Sequence, residues 1–448
     1  MVFPVVGGTQ DTGYEISNSL RFESGGSNYL ERTPSSAGNR RTFTTSWWNK
    51  IAVGETSRWV FGAGTQASDN DYFLFQSGHL LKFSFATESS GNIQTTQVFR
   101  DPSAWQHIVW AVDTTQSTAS NRVKLYVNGS QVSSFGVETY PSQNYDTSIN
   151  NTVVNRIGAR AYSATGHFDG YMADFHHIDG QQLAPTEFAE TNDNGVWIPK
   201  KYTGSYGTNG FKLEFKQTGT SQNSSGIGAD TSGNDNHFAV SNLAAIDVTE
   251  DTPTNNFCTF NPLKERPGEG YADFSEGNCK ATGTSVFAFS SFVLPSSGKW
   301  YAEFKATAGT STAYVALRDE DDYTADGNTN RLFYRNDGQK DTGSGASSYG
   351  NSWTTNDIIS IAANVDDSEV TFYKNGVAQD SGTAISQTCA NQYIIVATAG
   401  GWTFEANFGN APFSISSGNS DANGYGNFEY AVPSGYYALC TKNLAEYG

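Results

Sequence analysis

Two short acidic segments contain the first side chains whose types and spacing could do chemistry. Asp69-Asn70-Asp71 places hard oxygen ligands close together, and the run Asp319-Glu320-Asp321-Asp322 with Asp326 and Asn328 is denser in carboxylates. Calcium prefers such ligands, but the second run lacks the glycine that an EF-hand loop has at its sixth position. A solvated turn is the alternative for both. We therefore name Asp69 and Asp71 as candidate calcium ligands and predict no other cofactor.

Aromatic side chains beside predicted loops are candidate sugar-stacking groups. A flat ring can lie on the face of a pyranose while Asn and Asp side chains hydrogen-bond its hydroxyls. Trp47 and Trp48 are consecutive on a predicted strand, so one can lie in the core while the other faces outward. Tyr323 and Trp402 lie next to loop-like segments in the second half. We name Trp48, Tyr323 and Trp402 as candidate ligand-binding residues, with core packing as the alternative for each.

The motifs expected of an enzyme are missing from the sequence. A retaining glycosidase needs two carboxylates about 5 Å apart, and a Glu-x-Asp-x-Glu strand would supply them. Its nearest approach, Glu320-Asp321-Asp322, has no Glu at position 324 or 325. No Gly-x-Ser-x-Gly elbow occurs either. His176 and His177 are neighbours on a predicted strand, so their rings should face opposite ways, one inside and one outside. We predict no catalytic residues.

Composition and charge exclude several classes of protein. The 448 residues include 27 Lys plus Arg and 45 Asp plus Glu, a formal net charge of -18. Nucleic-acid binding depends on clustered cations, so we expect no nucleic-acid partner. No apolar run is long enough to span a membrane, and the first residues lack the pattern of a signal peptide. We expect no membrane partner and a soluble protein. The 4 cysteines are spaced unlike zinc ligands, and we predict buried thiols, with one or two disulfides as the alternative.

Short aromatic and β-branched runs between Gly- and Asn-rich turns predict an all-β protein with two antiparallel β-sandwiches joined by a polar linker. Asn128-Gly129 and Asn375-Gly376 are typical of tight hairpin turns. The domain boundaries that we predict are 1–14 for an N-terminal arm, 15–195 for the first sandwich, 196–269 for a polar connecting segment, 270–415 for the second sandwich and 416–448 for a tail that packs on the second domain.

Particular segments resemble known families. SLRF, WQHIVWAVD followed by VKLYVNG, IGARAY and FDGYMADFHHIDGQQLAPTEF are similar to the concanavalin-A-like laminin-G superfamily of lectin and glucanase folds. GKWYAEFKA, EVTFYKNG and WTFEANFGNAPF resemble a SPRY domain. Together these resemblances cover about three quarters of the chain. They imply two lectin-like sandwiches, and laminin-G relatives often bind calcium at a sandwich rim.

Three further segments look like parts of structural proteins from tailed bacteriophages: GADTSGNDNHF, DTPTNNF and GYYALCTKNL. The resemblance implies a non-enzymatic virion surface protein, a tail fibre or capsid-mounted fibre, located on virions assembled in the host cytoplasm. Its expected partners are other virion proteins, further copies of itself and a host-surface glycan, with the arm of residues 1–14 docking on a virion partner or sister subunit. A capsid decoration protein with a structural role and a glycan depolymerase are the alternatives.

Overall fold

The structure is a computed structural model that describes residues 13–52, 56–86, 91–264, 270–319 and 331–448. It is nearly all β, with 43% strand and 6% helix, which confirms the predicted fold class. Within the described residues, the chain up to Thr254 forms one compact unit and the chain from Asn255 onward forms a second.

The first unit is built from short strands, because its sequence alternates apolar and polar residues between turns. In chain order the strands are β1 (Ser19–Phe22), β2 (Tyr29–Arg32), β3 (Thr42–Ile51), β4 (Arg58–Ala63), β5 (Asp71–Gln76), β6 (Leu80–Ser84), β7 (Asn92–Val98), β8 (Gln106–Asp113), β9 (Val123–Val127), β10 (Ser130–Gln131), β11 (Phe135–Thr139), β12 (Asn155–Ile157), β13 (Gly170–Asp179), β14 (Ala189–Thr191), β15 (Trp197–Pro199), β16 (Phe211–Leu213), β17 (Ala239–Ser241) and β18 (Val248–Thr249).

These strands form two large antiparallel sheets. Sheet 1 has the order β10-β9-β8-β3-β13-β1-β18, with β16 also paired to β13, and sheet 2 has the order β11-β7-β6-β5-β4-β12-β2-β17. Strands β14 and β15 pair only with each other. Short 3-10 turns occur at Ser24–Gly26, Ala67–Asp69, Ala119–Asn121, Pro185–Glu187 and Ala245–Asp247.

The core of the first unit contains large aromatic side chains from both sheets. Trp47, Trp110 and Phe175 of sheet 1 and Phe61 and Phe73 of sheet 2 are all fully buried. The ring centroids of Phe73 and Trp110 are 5.7 Å apart, and those of Trp47 and Phe175 are 5.8 Å apart. Such pairs contribute about 0.5–1.5 kcal/mol each beyond the area they bury. These contacts therefore hold the two sheets together and determine which residues lie on the outer face of each sheet.

Residues 196–254 belong to the first unit and not to the connecting segment that composition suggested. Strands β16, β17 and β18 pair with β13, β2 and β1, so these residues complete both sheets of that unit. Phe211, Leu213 and Phe238 are buried in the core. The polar side chains order the loops instead, since the Asp230 carboxylate accepts hydrogen bonds from the backbone of Lys212 and Ser232 at 2.8 Å. The prediction was wrong because it treated a low apolar content as a sign of a linker.

The second unit contains another two sheets. Its strands are β19 (Asp273–Ser275), β20 (Lys280–Gly283), β21 (Phe287–Val293), β22 (Lys299–Gly309), β23 (Ala313–Asp319), β24 (Arg331–Arg335), β25 (Gln339–Asp341), β26 (Ala346–Ser348), β27 (Ile358–Asn364), β28 (Glu369–Lys374), β29 (Val377–Ala378), β30 (Ile385–Ser386), β31 (Gln392–Thr398), β32 (Trp402–Asn407) and β33 (Tyr437–Ala438); a 3-10 turn lies at Asp380–Gly382 and helix α1 at Thr441–Tyr447.

One sheet of the second unit follows the order β19-β20-β32-β22-β27-β28-β29, and the other follows β21-β31-β23-β24-β25-β26. The C-terminal residues pack on the first of these sheets. Strand β33 pairs in parallel with β22, and the buried Glu303 carboxylate accepts the backbone N–H groups of Glu429 and Tyr430, both at 2.9 Å. Burial raises the pKa of Glu303, and these hydrogen bonds oppose that shift.

Both predicted hairpin turns have the expected geometry. Asn128 and Gly129 have φ values of 46° and 80°, and Asn375 and Gly376 have φ values of 49° and 77°. Positive φ at both central residues is the type I′ arrangement that Asn-Gly favours. All four cysteines are buried, as predicted, and no disulfide joins them in the described residues. In the part of the chain that the structure describes, no helix is long and apolar enough to cross a membrane.

Candidate ligand-binding site

Two of the predicted sugar-stacking residues are buried by neighbouring side chains. Trp47 lies in the core and Trp48 on the opposite face of β3, as strand alternation predicts, but Trp48 is only 4% exposed and stacks on His107 at 4.8 Å between centroids. Trp402 is 2% exposed, donates its Nε1 hydrogen to the Ser311 carbonyl at 2.9 Å and stacks on Phe404. Neither indole offers a face to a ligand, so both are corrected to packing residues here.

The predicted calcium ligands are engaged in internal hydrogen bonds. Asp69 accepts from the backbone N–H groups of Thr65 and Gln66, both at 2.8 Å. Asp71 is fully buried and accepts from the backbone of Ala86 at 2.6 Å and from the Tyr145 hydroxyl at 3.3 Å. Both carboxylates therefore act as acceptors for the loops around them.

The pKa values of these two carboxyls differ in direction. Burial raises the pKa of Asp69, but the hydrogen bonds from Thr65 and Gln66 outweigh it and lower the pKa overall. Burial dominates at Asp71 and raises its pKa to about 6. Among the described residues, no group of three or more His, Cys, Asp or Glu side chains could hold a metal ion. Calcium binding by Asp69 and Asp71 stays a prediction. Tyr323 and residues 320–330 lie outside the described residues.

The two adjacent histidines lie on opposite faces of β13, but both are 1% exposed, so the expected outward ring is also buried. His177 faces the core, and its ring nitrogens lie 2.9 Å from Thr45 Oγ1 and from Asn150 Oδ1. Burial lowers its pKa to about 3. His176 faces the other side, where residues 183–206 pack over sheet 1; we call this segment the outer layer.

Beneath the outer layer lies a polar group of side chains that the sequence did not reveal, which we call the Asp174 cluster. Its members are Tyr14, Asp174, His176, Tyr206 and Lys212. Asp174 Oδ2 lies 2.9 Å from His176 Nε2, and Oδ1 accepts from the Tyr14 hydroxyl at 3.0 Å and lies 3.4 Å from Lys212 Nζ. His176 Nδ1 is 2.8 Å from the Tyr206 hydroxyl.

A β-bulge aims the central carboxylate of this cluster. The register of β13 against β3 shifts between Ala173 and His176, and Asp174 has a φ of 44°. Bulges commonly redirect a side chain in this way. Burial raises the pKa of Asp174, but His176 and Lys212 outweigh it and lower the pKa to about 2. Asp174 is 2% exposed, and its partners are in place, so the cluster has a structural role.

The outer face of sheet 2 has a different character. Leu30 and Ile157 are buried in the core, so their strand neighbours Glu31 and Arg156 face away from it. In register, Arg156 lies opposite both Glu31 and Gly62, and Gly62 lies opposite Tyr72. These residues form a row across the sheet. We call the side chains on and beside this row the aromatic–arginine patch: Tyr29, Glu31, Trp59, Tyr72, Arg156, Arg160, Tyr162 and His167.

One half of the patch is a stack of an indole, a guanidinium and a phenol. The Arg160 guanidinium carbon lies 4.0 Å from the centroid of Trp59 and 5.5 Å from that of Tyr162. Arg160 Nη1 also donates to the Tyr162 hydroxyl at 3.1 Å. A Cβ added at Gly166 would lie 2.1 Å from Trp59 Cε3. The 160–166 loop therefore contacts Trp59 through the Arg160 guanidinium and through Gly166, and we call these two contacts the clamp on Trp59.

The other half of the patch repeats this pattern. The Arg156 guanidinium carbon lies 5.0 Å from the ring centroid of Tyr29, which stacks on His167 at 6.1 Å. Arg156 Nε donates to Glu31 Oε2 at 2.9 Å, and Nη1 donates to the Arg160 carbonyl at 3.2 Å. The second bond joins the two halves of the patch. Each arginine is therefore held in one orientation by a ring and by hydrogen bonds.

The arrangement is suited to binding a polar ligand with flat apolar faces. Tyr29, Tyr72, Arg156, Arg160 and Tyr162 are half-buried, so their rings and donors remain partly accessible. Aromatic faces stack on the C–H surface of a sugar ring, and guanidinium and phenol groups hydrogen-bond its oxygens. Trp59 Nε1 is buried and has no hydrogen-bond partner among the described residues.

The sequence analysis missed the patch, although the sequence contains two segments that indicate it. The segment IGARAY carries both Arg160 and Tyr162, and Trp59 lies in the run RWVFGAG. Alternation on β2 and β12 would also have placed Glu31 and Arg156 on the outer face. The pairing of these strands was needed to bring the residues together.

Comparisons with known proteins agree with the sandwich in the first unit. A family model described as the Concanavalin A-like lectin/glucanases superfamily matches residues 24–187, which confirms the resemblance proposed for this region. No curated protein matches the chain.

Solved structures resemble parts of the chain at low identity. The SPRY domain of human HERC1 is 17% identical, with a TM-score of 0.27, and the match covers 33% of this chain and 96% of that domain. A heptameric SAP-like pentraxin from Limulus polyphemus is 15% identical, with a TM-score of 0.29, covering 38% and 80%. A Bacteroides ovatus protein described as carbohydrate binding is 12% identical, with a TM-score of 0.33, covering 51% and 58%.

Proposed function

We propose that this chain is a non-catalytic carbohydrate-binding protein whose first unit binds a saccharide at the aromatic–arginine patch. The observation that carries the proposal is the row of half-buried rings and oriented guanidinium groups across the outer face of sheet 2. Support for the ligand class comes from the family model that matches residues 24–187, whose description names lectins and glucanases.

The proposal includes that the protein does not cleave the saccharide that it binds. Glycoside hydrolysis needs two carboxylates placed on either side of the scissile bond. Glu31 is the one carboxylate among the residues that define the patch, and it is paired with Arg156 at 2.9 Å. The sequence also lacks the Glu-x-Asp-x-Glu motif. The patch is therefore equipped for holding a saccharide rather than for cleaving it.

In this proposal the protein is a surface component of a tailed bacteriophage particle, a tail fibre or capsid-mounted fibre, and the saccharide belongs to the host envelope. The support is the likeness of residues 228–238, 251–257 and 435–444 to phage structural proteins. Neighbouring virion proteins and further copies of the chain are its partners. Many copies on one particle would raise avidity by roughly 100-fold to 10,000-fold, so a weak single site is sufficient.

A glycan array probed with the multimerised full chain tests the binding function. We expect binding to at least one saccharide class and loss of that binding in Tyr72→Ala, because Tyr72 supplies a half-buried ring to the patch. Tyr271→Ala is the matched control, since Tyr271 is a 73% exposed tyrosine of the second unit. Silence across the array at high valency would contradict the proposal, as would equal binding by both variants.

Two further measurements separate the alternatives. Release of reducing sugar ends from the bound saccharide would identify a depolymerase, and we expect none. A labelled antibody against the chain should decorate intact virions at their tails or on capsid-mounted fibres. Uniform labelling of the capsid shell, with normal host adsorption by particles lacking the protein, would favour the decoration protein instead.

A further inference from the structure

The surroundings of Arg160 differ from those of Arg21, Arg58 and Arg156. Arg21, Arg58 and Arg156 each lie within 4 Å of a carboxylate, with N–O distances of 3.7, 2.8 and 2.9 Å. Arg122 has no such partner but donates to three backbone carbonyls. Arg160 has one side-chain hydrogen bond, to the Tyr162 hydroxyl, and no carboxylate partner among the described residues.

The geometry of Arg160 is that of a positioned donor group. A guanidinium carries five N–H donors in a rigid planar fork. Trp59 at 4.0 Å and Tyr162 at 5.5 Å hold that plane, and one donor is used within the protein. Arg160 itself is half-buried. Little side-chain freedom is then lost when an acceptor with matching geometry arrives.

We propose that Arg160 binds the carboxylate of an acidic sugar, so that the saccharide ligand belongs to the uronic-acid or related carboxylated class. This inference rests on the proposed carbohydrate-binding function. A carboxylate has the planar pair of oxygens that an arginine fork binds with two parallel hydrogen bonds.

The protein has a net charge of -18, so it has no general attraction for an anionic saccharide. A strongly negative protein repels anionic polymers at long range, so binding requires a specific short-range contact. The acidic saccharide is therefore held at one oriented guanidinium rather than by a general basic surface. Moderate salt screens the overall repulsion as well as the contact, so the affinity should depend on salt less steeply than for a basic protein.

The test is an array that carries carboxylated oligosaccharides, including oligogalacturonates and sialylated glycans, beside their carboxyl-reduced forms. We expect the full chain to bind carboxylated members about 10- to 100-fold more tightly than their reduced forms, the range typical of a hydrogen bond to a charged group. Arg160→Gln should abolish this preference, so that carboxylated and reduced forms bind with the same, weakened affinity. Arg160→Lys, which keeps the charge without the fork, should restore only part of it.

Arg41→Gln is the matched control, because Arg41 is an exposed arginine whose carboxylate partner, Asp146, lies at 2.8 Å in a loop of the same unit. Thermal unfolding of all variants checks that Arg160→Gln remains folded. Equal binding to carboxylated and reduced forms, or a preference that survives Arg160→Gln, would overturn this inference and leave carbohydrate binding intact. A complete lack of saccharide binding would instead refute the proposed function itself.

Discussion

The two outer faces of the first sandwich carry similar residue types and use them differently. On sheet 1, Asp174, His176 and Lys212 pair with one another beneath the outer layer, and each is less than one-tenth exposed. On sheet 2, the patch residues Arg156, Arg160 and Tyr162 are half-buried. Charged groups whose partners all lie within the fold contribute to its specificity, whereas oriented groups with donors to spare can bind a ligand. The two faces therefore differ in how far the fold itself supplies partners for their charged groups, and not in residue type.

Removing the charge at the centre of the Asp174 cluster should have the largest effect. Asp174→Asn keeps a side chain that tolerates the φ of 44° but leaves His176 and Lys212 facing a neutral group in a buried site. We expect a loss of about 3–5 kcal/mol in the free energy of unfolding, measured with urea. The matched substitution on the other face, Glu31→Gln, should cost less than about 1 kcal/mol. Equal costs would remove the distinction between the faces.

The clamp on Trp59 should give an intermediate effect. Gly166 has a φ of 64°, and an added Cβ would lie 2.1 Å from the indole, so Gly166→Ala combines backbone strain with displacement of the ring. We expect a cost of about 2–4 kcal/mol together with weaker saccharide binding. Gly195→Ala isolates the strain, since Gly195 has a φ of 77° and nothing within 4 Å of an added Cβ. It should cost about 1–2 kcal/mol and leave binding unchanged.

If Gly195→Ala weakens saccharide binding as much as Gly166→Ala does, the clamp on Trp59 is not what orients the patch. Urea unfolding and array binding of the two glycine variants, measured side by side, decide this.

The loss of stability at acid pH should include a contribution from Asp174 that is smaller than the effects above. The pKa of Asp174 is lowered from 3.8 to about 2. Its contribution is therefore fully present above about pH 4 and is lost as the pH falls to about 2, an effect of about 2 kcal/mol. The difference in unfolding free energy between wild type and Asp174→Asn should shrink over that range. A difference that stays constant from pH 5 to pH 2 would contradict the low pKa.

Two buried histidines also make the fold less stable as the pH falls, and their effect begins at a higher pH than that of Asp174. Burial lowers the pKa of both His107 and His177 to about 3, so each is neutral in the fold and disfavours folding progressively as the pH falls below about 6.5. His177 cancels in the comparison with Asp174→Asn, whereas Asp174 acts to raise the pKa of His107, so that pKa should fall further in the variant.

The sequence was sufficient for features set by local chemistry and insufficient for those set by distant pairing. The two Asn-Gly turns were predicted because a two-residue hairpin needs positive φ at both positions. Strand alternation correctly separated Trp47 from Trp48 and His176 from His177. It could not show that the outer layer covers the second member of each pair, because residues 183–206 have no regular apolar period. The patch joins four strands and a loop from residue 29 to residue 167, and no local pattern predicts that association.

The smallest expected effect concerns the carboxylate within the patch. Glu31 is 35% exposed and paired with Arg156 at 2.9 Å, so Glu31→Gln removes one negative charge from the edge of the proposed site. Half-exposed pairs contribute about 0–1 kcal/mol, so the fold should tolerate the change. Binding of a carboxylated saccharide should tighten about two- to fivefold, since a nearby like charge is removed and Arg156 gains a free donor. Asp146→Asn, which removes the exposed partner of Arg41, is the control and should leave affinity unchanged. Titration calorimetry with the best array ligand measures both variants, and weaker binding by Glu31→Gln would mean that Glu31 itself contacts the saccharide, as an acceptor for a hydroxyl group.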